Sequence, residues 1–181
     1  SADSGPAGVS GSLDFSSGLS ANGNSGYIAL NTGVATSGRA GDIDILVGVG
    51  NSGKGGSVVL NAGDTSHATY TGGHVQITGG TGSYDTAGQS GGSGGELRLN
   101  GGEGMGSNSI NTGGDIYLTG GTANGGTSGA IILSTGYSIK STSGMISLQT
   151  SNSGTAGVSG DVLVTTGTTT AGDSGEVRTT T

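Results

Sequence analysis

A short alternation of apolar and other positions recurs along the whole chain: glycine, any residue, an aliphatic, any residue, an aliphatic, then a polar residue. It starts at Gly11, Gly26, Gly41, Gly56, Gly73, Gly95, Gly114, Gly129, Gly144, Gly160 and Gly175. The first apolar column reads Leu13, Ile28, Ile43, Val58, Val75, Leu97, Ile116, Ile131, Ile146, Val162 and Val177. The second reads Phe15, Leu30, Ile45, Leu60, Ile77, Leu99, Leu118, Leu133, Leu148 and Val164. A period of two predicts an extended segment with one apolar face. The runs are too short, and too rich in glycine and β-branched residues, for helices. A low-complexity disordered chain has no reason to keep two columns apolar through ten units.

The start glycines are mostly 15 residues apart, with longer steps of 17, 22 and 19 in the middle of the chain. One such strand cannot bury its aliphatics alone, and stacking equivalent strands would give a thin continuous core. The pattern therefore predicts an all-β chain, a narrow parallel β-solenoid (β-helix) of about 15-residue coils, roughly eleven coils, with no capping elements. Propeller blades and sandwiches need hairpins, for which each unit has too little room. The aspartate-bearing nonapeptide of calcium-binding solenoids is not met. Ser16, Asn31, Asn61, Thr78, Asn100 and Thr119, in the column after the second aliphatic, are expected to hydrogen-bond from coil to coil.

A longer period overlies the short one. Residues 4–31 resemble 153–180, and Ser4–Gly11 differs from Ser153–Gly160 only by Pro6 against Thr155. The offset of 149 residues equals ten units. Residues 1–181 are thus expected to form a single segment, one super-repeat plus an overlap, a slice of a longer array whose uncapped ends would pair with further copies.

Composition narrows the choice of function. Of 181 residues 44 are glycine, 27 serine and 24 threonine, with one proline and no cysteine. That excludes a disulfide scaffold, a thiolate metal site and collagen. No apolar run is long enough to span a membrane. A net charge of −7 with only five basic residues leaves no nucleic-acid footprint.

The long units cover 56–113, their extra residues falling in 64–72, 81–94 and 103–113. They carry His67, Tyr70, Tyr84, Asp85, Met105 and Ile110, which would form a lateral contact ridge, because insertions map to one edge of a solenoid. Chemistry is harder to find. Gly48-Val49-Gly50-Asn51-Ser52-Gly53-Lys54 matches part of a phosphate loop, but Gly55 stands where a magnesium-binding hydroxyl is required, and no helix pattern follows. His67 and His74 lack partner ligands at zinc spacing. Asp14, Asp42 and Asp44 share an outward face and read as solvated acids rather than a calcium site. No nucleophile, base and orienting group can be assembled, so no catalytic residue, metal or cofactor is expected.

Units such as Ser25–Gly33 and Thr112–Gly121 resemble the Gly/Ser/Thr-rich tandem repeats of large secreted or surface proteins of diatoms and related algae. That resemblance spans the whole sequence and implies an extracellular or cell-surface location and a fibrous, adhesive or cell-covering role. The leading expectation is a structural extracellular filament, self-associating end to end or laterally, with matrix polysaccharide or O-glycans as further partners. An ice-binding solenoid is the first alternative, although Thr168-Thr169-Thr170 has no threonine ladder among its equivalents Leu19-Ser20-Ala21 and Val49-Gly50-Asn51. An adhesin or glycan-binding surface on the ridge is the second.

Overall fold

In the computed structural model, which describes residues 3–4, 8–84, 91–108 and 110–180, the alternation persists locally but the solenoid does not form. Among the described residues there is no helix and no strand. The protein divides into two units, Ser1–Gly79 and Gly80–Thr181, with the same local design in each.

Each repeat consists of an extended segment and a linker that turns back on itself. The extended segment keeps the two-residue period, as hydrogen bonds between side chains two apart demonstrate. Arg98 Nε donates to Glu96 Oε2 at 2.7 Å, Tyr117 Oη to Asp115 Oδ2 at 2.8 Å, and Arg178 Nε to Glu176 Oε2 at 2.9 Å. These polar residues flank the first aliphatic of their segments, so polar groups lie on one side and aliphatics on the other.

The linkers bend near their middles, at residues 21–23, 36–38 and 51–54 in the first unit and at 124–126, 139–141, 155–157 and 170–172 in the second. Small polar residues and glycine favour such bends, and Gly53, at φ +76°, adopts a left-handed conformation that other residues avoid.

At its base each linker is pinched where the next start glycine meets the residues just past the preceding second aliphatic. A Cβ on Gly41 would lie 3.6 Å from Thr32 Cγ2, one on Gly26 3.7 Å from Ser17 Cβ, and one on Gly175 3.6 Å from Thr166 Cβ. Where the pinch residue is alanine or glycine the backbones come closer and bond. Gly73 N–H donates to Gly63 O at 2.9 Å beside Ala62, and Gly114 N–H donates to Gly102 O at 2.8 Å beside Gly101. Gly129 N–H to Gly121 O, and Gly95 N–H to Gly80 O, both at 2.8 Å, repeat the arrangement. A branched side chain at the pinch holds the two backbones apart; its removal lets the amide reach a carbonyl. The long linkers are closed by the same pinch, so extra residues enlarge the loop without disturbing the segments.

The parallel β-solenoid of about eleven coils is therefore corrected to an extended, coil-like, largely exposed chain. A strand needs a ladder, and among the described residues only six backbone–backbone hydrogen bonds occur, none joining one apolar segment to another. Nor do the polar columns bond from unit to unit: Thr78 accepts from Gln76 of its own segment. No described residue is buried. The accessible surface is 17872 Å², against about 7,700 Å² expected for a folded monomer of this mass. Phe15, Ile28, Ala29 and Leu30 show where the core fails, since these residues of successive segments face a space of about 430 Å³ instead of touching.

The apolar columns nevertheless differ from other apolar positions. The first column runs from 47% exposed at Ile43 to 72% at Leu13, whereas off-column Leu19 and Val49 are fully exposed. Side chains two residues apart on an extended segment shield each other, which accounts for this difference without a core.

The long repeat is visible in local geometry as well. Ser4 Oγ donates to Gly8 O at 3.1 Å, and Ser153 Oγ donates to Gly157 O at 3.1 Å. These are the same bond, 149 residues apart.

Candidate functional site

The ridge residues do not come together as one group. His67 and Tyr70 lie in the first unit, and Tyr84, Met105 and Ile110 in the second. Asp85 lies outside the described residues.

His67 and Tyr70 make the one organised cluster among them. The linker turns at 68–69 because Thr65 and Thr69 bracket the imidazole. The His67 backbone N–H donates to Thr65 Oγ1 at 3.2 Å, and the Thr69 N–H donates to His67 Nδ1 at 3.3 Å. An Nδ1 that accepts from a backbone amide carries no proton, so in this geometry the ring proton sits on Nε2. The Tyr70 ring packs on the imidazole with centroids 4.6 Å apart and planes at 49°. The result is a small exposed aromatic platform with one outward N–H donor.

The second-unit residues are arranged differently. Tyr84 offers its carbonyl to Gly92 N–H at 3.3 Å. Asn108 shapes the Met105–Ile110 stretch: its side-chain oxygen accepts from Ile110 N–H at 3.3 Å, and its carbonyl accepts from Asn111 N–H at 2.9 Å. Met105 and Ile110 remain exposed at 90% and 80%. No contact between Tyr84, Met105 and Ile110 is present among the described residues.

The motifs resembling chemistry can be placed too. The phosphate-loop-like stretch ends in the bend at 51–54, and an extended stretch follows from 55. Its amides therefore have no helix terminus to complete an anion site. Asp42 is engaged by Arg39, whose Nη2 lies 2.7 Å from each carboxylate oxygen. That pair is exposed, so solvent screens it strongly. Among the described residues, no group of three or more histidine, cysteine or acidic side chains is placed to hold a metal ion. No helix among them is long and apolar enough to cross a membrane.

Two arrangements go beyond what the alternation predicts. One is the pinch column, Ser17, Thr32, Val47, Ala62, Gly101, Gly120, Thr135, Thr150 and Thr166, whose split between branched and small residues is its signal in the sequence. The other is the pairing of polar side chains across each first aliphatic, as in Glu96 with Arg98.

The extended surface with the most regular chemistry is the double apolar column. Two aliphatic positions recur in unit after unit, each at least 47% exposed, on the side opposite the charged pairs. Such a surface has no place for a reacting group and a good fit to another apolar ladder of equal period. No family model, no curated protein and no solved structure matches the sequence.

Proposed function

We propose that the protein is a structural, self-associating component of an extracellular filament or cell-surface matrix. The observation supporting this is the double apolar column. It leaves 21 aliphatic or aromatic side chains, repeated at a near-constant interval, half-exposed on one side of extended segments. A lone molecule gains little by displaying that surface, and exposed apolar area of this extent marks association. A second copy carries the same columns at the same spacing, so contact at one segment brings the following segments into register. Multivalency then raises avidity well above the strength of one contact. Compact folding would hide the columns; an extended form keeps them available along its length. The −7 charge and the many hydroxyls keep the opposite side hydrated.

Electron microscopy and sedimentation of the purified protein test this reading. Filaments or concentration-dependent oligomers are expected. Replacing Ile131 and Leu133 by aspartate, together with the equivalent column pairs of neighbouring segments, should abolish them, while Ile132→Asp on the opposite side should not. A protein that stays monomeric at high concentration in physiological salt would overturn the proposal.

The His67–Tyr70 platform supports a second, smaller reading, contact with matrix carbohydrate. A tilted aromatic face beside an outward N–H suits the mixed apolar and hydroxyl surface of a sugar ring. Binding of matrix polysaccharide that survives His67→Ala and Tyr70→Ala together would refute that placement.

A further inference from the structure

We infer that Asn124 and Asn22 are sites of spontaneous, non-enzymatic deamidation, and that the pinch at Gly101 and Gly114 protects Asn100 from the same reaction. The sequence has three Asn-Gly dipeptides, at 22–23, 100–101 and 124–125. In this chemistry the glycine backbone nitrogen attacks Cγ of the preceding asparagine and gives up its proton. A bond forms between that nitrogen and Cγ, the bond from Cγ to the amide Nδ2 breaks, and ammonia leaves, producing a five-membered succinimide. Water then opens the ring at either carbonyl, giving aspartate or isoaspartate. Water is the only co-reactant and nothing is oxidised or reduced. Glycine at the attacking position offers no side chain to block ring closure, and its backbone reaches the required conformation freely.

The three sites differ in what restrains that conformation. Asn22 and Asn124 are exposed and lie in linker bends, at 21–23 and 124–126. Nothing stands within 4 Å of the Cβ position at Gly125. Neither Gly23 nor Gly125 donates its backbone N–H to another backbone group among the described residues. Asn100 is exposed too, but Gly101 belongs to a pinch. A Cβ there would fall on the carbonyl oxygen of Gly114, and the adjoining Gly102 O accepts from Gly114 N–H at 2.8 Å. Ring closure at Asn100 must swing Gly101 away from Gly114 and sacrifice that bond.

Downstream sequence does not separate Asn100 from Asn124, since each is followed by two glycines. In the second copy of the 149-residue repeat the position equivalent to Asn22 is Ala171, within the bend at 170–172. Only the first copy would therefore acquire a new carboxylate at that position, and the protein would grow more acidic with age.

The test is to age the purified full-length sequence in neutral buffer, digest it with trypsin and follow amide-to-acid conversion by mass spectrometry. Trypsin leaves Asn100 and Asn124 on one peptide, residues 99–140, and fragment ions give their ratio within a single species. Asn124 and Asn22 should convert with isoaspartate among the products. Asn100 should lag about fivefold, the factor corresponding to about 1 kcal/mol for one net hydrogen bond. Gly114→Pro, which removes the donor, should bring Asn100 to the rate of Asn124. Equal rates in the unaltered protein, a lag that persists in Gly114→Pro, or no conversion at Asn124 would each overturn the inference.

Discussion

The amide of Gly129 donates to the carbonyl oxygen of Gly121 at 2.8 Å, and this bond closes a linker of the same length as the one ending at Gly144, where no such bond exists. The difference lies one residue before the acceptor position. Gly120 precedes Gly121, whereas Thr135 precedes Gly136, and a Cβ on Gly144 would lie 3.2 Å from Thr135 Cβ. A single side chain thus decides whether a linker is closed by a backbone hydrogen bond or by a methyl contact.

Exchanging these residues should exchange the closures. Ala62→Thr should break the 2.9 Å bond from Gly73 to Gly63, and Thr135→Gly should create its equivalent between Gly144 and Gly136. Hydrogen exchange read by NMR is the measurement. Gly73 should lose about fivefold in protection and Gly144 gain about as much, for a net bond of about 1 kcal/mol. Unchanged protection at both amides would show that side-chain size does not set the closure.

Neighbouring glycines should respond unequally to the same small addition. Gly101→Ala drives a methyl onto the Gly114 carbonyl, while Gly102 has nothing within 4 Å of its Cβ position. Gly101→Ala should therefore abolish the protection of the Gly114 amide, and Gly102→Ala should leave most of it. The same hydrogen-exchange experiment reads both.

Much of the local design was legible in the sequence. The glycine-led alternation located the extended segments, and the Gly/Ser/Thr linkers located the bends. The period of 149 residues reappears as one bond made twice, Ser4 to Gly8 and Ser153 to Gly157. What failed was the step from pattern to packing. Alternation states which side of a segment is apolar but not what covers it, and Phe15 and Leu30 border a gap of about 430 Å³ rather than a core. With 44 glycines the protein loses much backbone entropy on forming any regular structure, and two aliphatics per unit, left at least 47% exposed, recover little. The ridge failed for a related reason: without stacked coils, His67 and Tyr84 have no shared edge to meet on.

Without a core there is nothing to melt cooperatively. Dilute, dispersed protein should give no calorimetric unfolding peak, because heat absorption and heat-capacity change both come from exposing buried surface. Assembled material should differ, with a concentration-dependent transition once the columns are covered. A sharp endotherm from verified monomer would mean that the aliphatic columns are buried after all.

Salt dependence separates the two forces available to an assembly. Twelve acidic and five basic residues give every copy a charge of −7, so approaching copies repel, while the apolar columns attract. Raising ionic strength from 0.01 M to 0.15 M shortens the Debye length from about 30 Å to about 8 Å. The repulsion is thereby screened, and the apolar attraction is left almost unchanged. Assembly followed by light scattering should accordingly become faster and more extensive with salt, and sulfate should promote it further by strengthening apolar burial. The exposed pairs Arg98–Glu96 and Arg178–Glu176 make the opposite outcome informative. If those charges re-paired between molecules to hold the assembly together, salt would dissolve it. Assembly that weakens with salt would therefore move the contact surface from the aliphatic columns to the charged side of the segments.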